Sequence, residues 1–183
     1  MDNIYIWLGL GTIIVAVLGF LLAGFAISPY QQVTRVELIK APINDVWESL
    51  SNLPTQTYWR QDIKNIQMLD DDAGLRWVEH PASGSASTTV RKIKEKAPQV
   101  LLLEMDNNNG KGSREARLSQ VPGGTRITFT ERCETQSPFK RLQARRGGGL
   151  DKKLDKFIQE LKQKFVAPPP STNSDTVSGN AQA

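Results

Sequence analysis

The chain has 183 residues, 39% of them hydrophobic and 23% charged, with a formal charge of +4, which gives room for one ordinary domain and too little for two. Every Lys and Arg lies at or beyond Arg35 and Asp2 is the one earlier charge, so the rest of the chain carries +5. That balance suits an anionic membrane surface better than nucleic acid, for which no aromatic-basic motif or metal-finger spacing is present, and the single Cys133 and single His80 are too few for an internal disulfide or a zinc site of the usual kind, so neither metal nor cofactor is expected.

From Ile4 to Ile27 the sequence IYIWLGLGTIIVAVLGFLLAGFAI is apolar without interruption, and at roughly 1.5 Å per residue it is long enough to cross a hydrocarbon core of about 30 Å. Tyr5 and Trp7 near one end and Tyr30 past the other stand where amphipathic rings prefer the headgroup level, and Pro29 stops the helix. A cleaved signal peptide would need a positive leader and a shorter apolar stretch. Residues 1–29 are therefore expected to form a single-pass transmembrane helix in the cell membrane. Arg35 and Lys40 follow the segment and no cation precedes it, which favours a cytoplasmic domain.

Beyond the anchor, Gln32 to Leu38 predicts a first strand ending at Lys40. Ala41-Pro42 and Asn44-Asp45 then open a helix in which Ile43, Val46, Trp47 and Leu50 recur at helical spacing to Ser51. Asn52-Leu53-Pro54 breaks it, and Thr55 to Arg60 predicts a turn or short helix that carries Trp59 toward the core. Strands are expected at Ile63 to Leu69, Leu75 to His80, Ala86 to Lys94, Gln99 to Met105, Ser113 to Val121 and Thr125 to Cys133. The turn signals between them are Asp70 to Gly74, Pro81 to Gly84, Pro98, Asp106 to Gly110 and Pro122-Gly123-Gly124. After Pro138 the period becomes helical, with Leu150, Leu154, Phe157, Ile158, Leu161 and Phe165 on one stripe and Gly147-Gly148-Gly149 bending the approach. Residues 167–183, APPPSTNSDTVSGNAQA, are too poor in apolar surface to order and are expected to form a disordered tail.

The segment VELIKAPINDVWESLSNLPTQTYW, with Ala41, Pro42, Val46, Trp47 and Trp59, resembles the opening of the START/polyketide-cyclase (SRPBCC) superfamily. The run VPGGTRITFT, with Gly123, Gly124, Thr125 and Arg126, resembles the turn before that family's last strand. The likeness covers about Gln32 to Val166, within a domain expected over residues 30–166. It implies an α+β helix-grip domain, a curved antiparallel sheet around a long C-terminal helix, with a cavity that in this family typically takes lipids, sterols, quinones or polyketides. Strand alternation and the helix stripe nominate Trp59, Ile66, Met68, Trp77, Leu102, Leu118, Ile127, Phe129, Leu154, Phe157, Ile158 and Leu161 as its lining, although each is equally an ordinary core residue.

Glu79, Glu104, Glu131 and Arg117 are the polar candidates for an inward position, and no catalytic motif of the family maps onto them. His80 is expected at an exposed strand end, and Arg60 is expected to pair with a nearby carboxylate. Lys140 to Lys164 holds nine cations against three anions, either an anionic-lipid contact or the solvated face of a helix. The favoured reading is a non-catalytic, membrane-tethered module for a hydrophobic or lipid-like small molecule. Two alternatives stay open: a cyclase or dehydratase using an inward carboxylate such as Glu104 or Glu79, and an interaction protein whose interior is filled by its own side chains.

Overall fold

Apolar residues without a charge after Asp2 wind into one continuous helix, α1 (Asp2–Ala26), in the computed structural model, which describes residues 2–69, 74–108, 110–135, 137–146 and 149–166. Thr12 donates its hydroxyl to the Leu8 carbonyl at 2.9 Å, which satisfies that polar group within the helix. Tyr5, Trp7, Ile13, Val15, Leu22 and Phe25 are among its exposed large side chains. Among the described residues no helix is long and apolar enough to cross a membrane. The transmembrane span expected from Ile4 to Ile27 therefore finds no support among them.

After Pro29 the chain enters β1 (Tyr30–Ile39), then α2 (Ile43–Ser51) and the one-turn α3 (Leu53–Gln56). The predicted break at Asn52-Leu53-Pro54 is narrower than expected: Pro54 lies in the first turn of α3, where its missing N–H is no loss. Six strands follow, β2 (Ile63–Leu69), β3 (Arg76–Pro81), β4 (Thr88–Lys96), β5 (Val100–Asn107), β6 (Gly110–Val121) and β7 (Gly124–Glu134). They form one antiparallel sheet with β1, in the order β1-β7-β6-β5-β4-β3-β2. Register shifts at Ile63/Asn65 and Lys92/Lys94 interrupt the ladders near the β2 edge, where bulges increase twist. The helices α4 (Pro138–Arg146) and α5 (Gly149–Val166) complete the fold. The acidic turn at 70–73, Gly147, Gly148 and the tail 167–183 lie outside the described residues.

The core follows from the apolar stripe of α5. Leu154, Phe157, Ile158 and Leu161 are buried against Leu118, Ile127 and Phe129 of β6 and β7 and against Val46, Trp47 and Leu50 of α2. Leu53, Trp77 and Val90 form a second cluster under β3 and β4. Polar ties set how α5 lies on β1: Arg35 reaches Asp155 at 2.8 Å and Asp151 at 2.9 Å, and Lys162 donates to Glu37 at 2.5 Å. The β6–β7 turn closes on β1 just as tightly, because a Cβ on Gly124, whose φ is +145°, would stand 2.2 Å from the Ile39 carbonyl oxygen. Its neighbour Thr125 is fully buried and donates to the Ala41 carbonyl at 2.8 Å.

Candidate functional site

Period-two alternation puts Trp77, Glu79 and Pro81 of β3, Gly112, Arg114, Ala116 and Leu118 of β6, and Ile127, Phe129, Glu131 and Cys133 of β7 on the face that meets α5. Where the apolar stripe of α5 fails to meet that face, a cavity of about 450 Å³ remains, bounded by Leu150, Lys153, Lys156, Phe157 and Glu160 of α5 and by the ends of the strands. It lies at one particular end of the sheet. Ile63 starts β2, Pro81 ends β3, Thr88 starts β4, Asn107 ends β5 and Gly110 starts β6, and all of them line it together with Cys133 near the end of β7. Tyr30, the first residue of β1, pairs with Glu134 and Glu134 with Lys111, so this is the end at which α1 joins the domain. Exposed Ser83, Ser85, Lys111, Arg132, Lys153 and Lys156 form its rim.

The floor is charged and tightly matched. Arg60, 7% exposed, donates to Asp62 at 3.1 and 2.9 Å, to Glu79 at 3.2 and 3.1 Å and to the Gln56 side-chain oxygen at 3.0 Å. Gln56 is itself held by donating to the Leu50 carbonyl at 2.8 Å, and Trp77 Nε1 adds a further donor to Glu79 at 3.2 Å. Burial alone would lower the Arg60 pKa, but the charges of Glu79 and Asp62 and their hydrogen bonds outweigh it and raise it above the ordinary value. Burial likewise pushes the Asp62 carboxyl up, while the hydrogen bond and charge of Arg60 hold it below the usual carboxylate range. Arg114 donates through Nε and Nη2 to Glu131 at 3.0 and 2.8 Å. Both guanidiniums also sit on one aromatic ring, Arg114 at 4.3 Å and Arg60 at 5.4 Å from the Phe157 centroid, and Phe129 meets that ring edge-on at 5.4 Å.

Beneath this layer, Leu50, Val90, Leu101, Leu103, Ala116 and Phe129 enclose a deeper void of about 20 Å³, room for little more than one water. Arg60, Glu79, Arg114, Met105 and Phe157 border both spaces. One carboxylate differs from the rest. Glu160 is 5% exposed, and neither of its oxygens has a hydrogen-bond partner.

Of the residues nominated from sequence, Phe157 lines the main cavity, and Phe129 reaches only the deeper void. Leu118, Ile127, Leu154, Ile158 and Leu161 are buried in the main core and Trp59 packs against it, 5.5 Å from the Phe157 ring. Trp77 and Ile66 belong to the second cluster, and Met68, opposite Trp77 at the sheet edge, is 45% exposed. Leu102 lies on the other face. It pairs with Glu115, two residues from the exposed Arg117, while Leu101, Leu103 and Met105 face inward; the run Val100-Leu101-Leu102-Leu103 has no alternation from which to read a side. The same parity puts Glu104 outward, paired with Arg91, and Arg117 outward, paired with Glu115, so of the polar candidates only Glu79 and Glu131 face the cavity. Arg60 pairs with carboxylates as expected. His80 stands at half-buried depth, within 3.0 Å of the Ser87 hydroxyl. Arg114, Asp62 and Glu160 were missed, although Arg114 shares the parity of Leu118 and Glu160 lies three residues beyond Phe157 on the helix.

A family model described as polyketide cyclase / dehydrase and lipid transport matches residues 30–166. No curated protein sequence matches the chain. Among solved structures, the Zhui aromatase/cyclase from Streptomyces sp. R1128 superposes with a TM-score of 0.62 at 15% identity, covering 75% of this chain and 94% of that one. Ara h 8.0201 gives 0.61 at 10% identity, over 76% of this chain and 99% of its own. The di-domain ARO/CYC StfQ from the steffimycin biosynthetic pathway gives 0.59 at 8%, over 75% of this chain and 51% of its own. At these identities the likeness shows the fold alone.

Proposed function

This chain belongs to the polyketide cyclase / dehydrase and lipid transport family, and from that premise we propose that it is a binding module for a lipid-like small molecule, held beside the membrane by α1. The observation that carries the reading is the cavity of about 450 Å³, within the range of small-molecule sites, at the end of the sheet to which α1 is joined. Its walls are mixed: Ile63, Pro81, Ala86, Met105, Leu150 and Phe157 offer apolar surface, and the Arg60 and Arg114 ion pairs offer a polar floor. Such a lining suits an amphipathic ligand better than a pure hydrocarbon.

The tether rests on α1. Its large apolar side chains are exposed along the helix, and Phe20 meets Phe139 of α4 at 5.8 Å. An apolar surface of that extent calls for a non-aqueous partner, and the charge-free sequence makes a bilayer the natural one. The tether would raise the effective concentration of membrane-borne ligands at a cavity mouth rimmed by Lys111, Arg132, Lys153 and Lys156. An anionic surface has fewer free cations to meet on α5 than the sequence implies, because Lys162 is engaged by Glu37 and Lys164 by Ser49.

A cyclase or dehydratase needs an inward carboxylate at liberty to move protons. Of the carboxylates nominated from sequence, Glu79 and Glu131 are each held by an arginine and Glu104 points away, which favours binding and leaves the unpaired Glu160 as the one inward carboxylate, among the described residues, on which such chemistry would have to rest. The test is native mass spectrometry of the full chain released from lipid nanodiscs, before and after organic extraction. A stoichiometric amphipath lost on extraction supports the reading; an empty chain that also takes up nothing from a panel of lipids and quinones rejects it.

A further inference from the structure

The carboxylates around the cavity fall into two kinds. Asp62, Glu79 and Glu131 are saturated by arginine donors, whereas both oxygens of Glu160 lack a hydrogen-bond partner although the side chain is 95% withdrawn from solvent. Lys156, one turn earlier on α5, comes within 3.6 Å of Glu160 Oε1, too far for a hydrogen bond, and keeps 55% of its side chain exposed. Arg60 spends Nε, Nη1 and Nη2 on Asp62, Glu79 and Gln56, so it cannot turn toward Glu160 without breaking a pair. Beside the ring of Phe157, Glu160 meets no donor at hydrogen-bonding distance, and the unpartnered Trp59 Nε1 on the same ring does not reach it.

A desolvated acceptor that the chain leaves unmatched must be matched from outside it. In the empty cavity water can do so, and a ligand that displaces the water must bring its own donor or leave the carboxylate stranded. A site of this kind rejects analogues that lack the donor more strongly than any apolar contact discriminates between them. We propose that Glu160 selects the polar end of the ligand: it accepts a hydrogen bond from a hydroxyl or protonated amine of an amphipathic molecule whose apolar part lies along Phe157, and it disfavours molecules that present only ether, ester or carboxylate oxygens. The inference rests on the binding reading above and adds to it the chemistry of the ligand and the residue that reads it.

The experiment uses the full chain in phosphatidylcholine nanodiscs, with empty nanodiscs as the blank, and measures displacement of anilinonaphthalenesulfonate by lauryl alcohol, laurylamine, lauryl methyl ether and laurate. Wild type should yield to the alcohol and the amine at concentrations about tenfold below those needed for the ether and laurate. Glu160→Gln, which keeps a carbonyl acceptor but no charge, should hold the alcohol within about threefold and lose the advantage of the amine over the ether. Glu160→Leu should make alcohol and ether equal, and melting temperatures of both variants at or above wild type would establish that selectivity was lost without loss of fold. Equal displacement by alcohol, amine and ether in wild type, or a preference that survives in Glu160→Leu, overturns the role of Glu160 and leaves the binding reading standing. Failure of all four probes on wild type overturns both.

Discussion

A buried carboxylate without a donor costs stability, and Glu160 is the one such group on the cavity wall among the described residues. Glu160→Leu should therefore raise the stability of the empty protein by about 1–3 kcal/mol, seen as a higher melting temperature in detergent, the opposite of what truncating a core residue does. Asp62 behaves otherwise. Its carboxyl is held below the usual range by Arg60, so its ionised form contributes stability above the unfolded value of about 3.9, and the contribution is lost as pH falls through the lower folded value. Asp62→Asn should thus unfold at lower urea than wild type at neutral pH, and the two midpoints should converge as acid unfolding is followed below about pH 4. A difference between them that is constant with pH would exclude the Arg60 pairing as its origin.

At the scale of elements, the strands and helices form where alternation and punctuation place them, and α2 occupies the predicted Ile43 to Ser51 without change. The alternation of β7, with Thr125, Ile127, Phe129 and Glu131 all inward, is legible because polar residues separate them. The side of β5 is not, since four consecutive apolar residues satisfy either face until β4 and β6 fix the register. Arg114 was lost for a related reason: an arginine between Ser113 and Glu115 looks like a solvated strand residue, and only the facing Glu131 and Phe157 make its inward position affordable. The β6–β7 turn yields the sharpest element-level expectation. Gly124→Ala forces a side chain onto the Ile39 carbonyl at a φ of +145°, so it should destabilise by more than about 1 kcal/mol in urea titration, while Gly123→Ala, with open space around it, should suffer only the strain of its own φ of +87°.

At the scale of the whole molecule, one end of the sheet gathers the start of β1, the cavity mouth and α4. Arg141 clamps the junction by donating to the Thr135 carbonyl at 2.7 Å and the Ile27 carbonyl at 3.3 Å, and the Thr135 N–H donates to the Pro29 carbonyl at 2.9 Å. These bonds couple the direction of α1 to the domain that bears the cavity. On the proposed reading, removal of residues 1–29 should move the protein from the membrane fraction to the salt-soluble fraction. In vesicles with the cytoplasmic face outward, protease should reach the domain of the full chain, as the flanking Arg35 and Lys40 lead one to expect. A truncated chain that stays with membranes would move the anchor elsewhere.

The amino-acid sequence by itself determined the elements and their order, the apolar segment before them, the helix stripe that becomes the core, and the family resemblance at Ala41-Pro42 and Gly123-Gly124, because these are set by local periodicity and turn chemistry. Only the tertiary structure decided which residues line the cavity. The nominated apolar residues pack into one another, since apolar groups that can meet do so, and the space left over falls where the stripe of α5 runs out and charged residues take its place. Which charges pair there, and that Glu160 is left over, depends on side chains far apart in sequence arriving at one point, and no local pattern encodes that meeting.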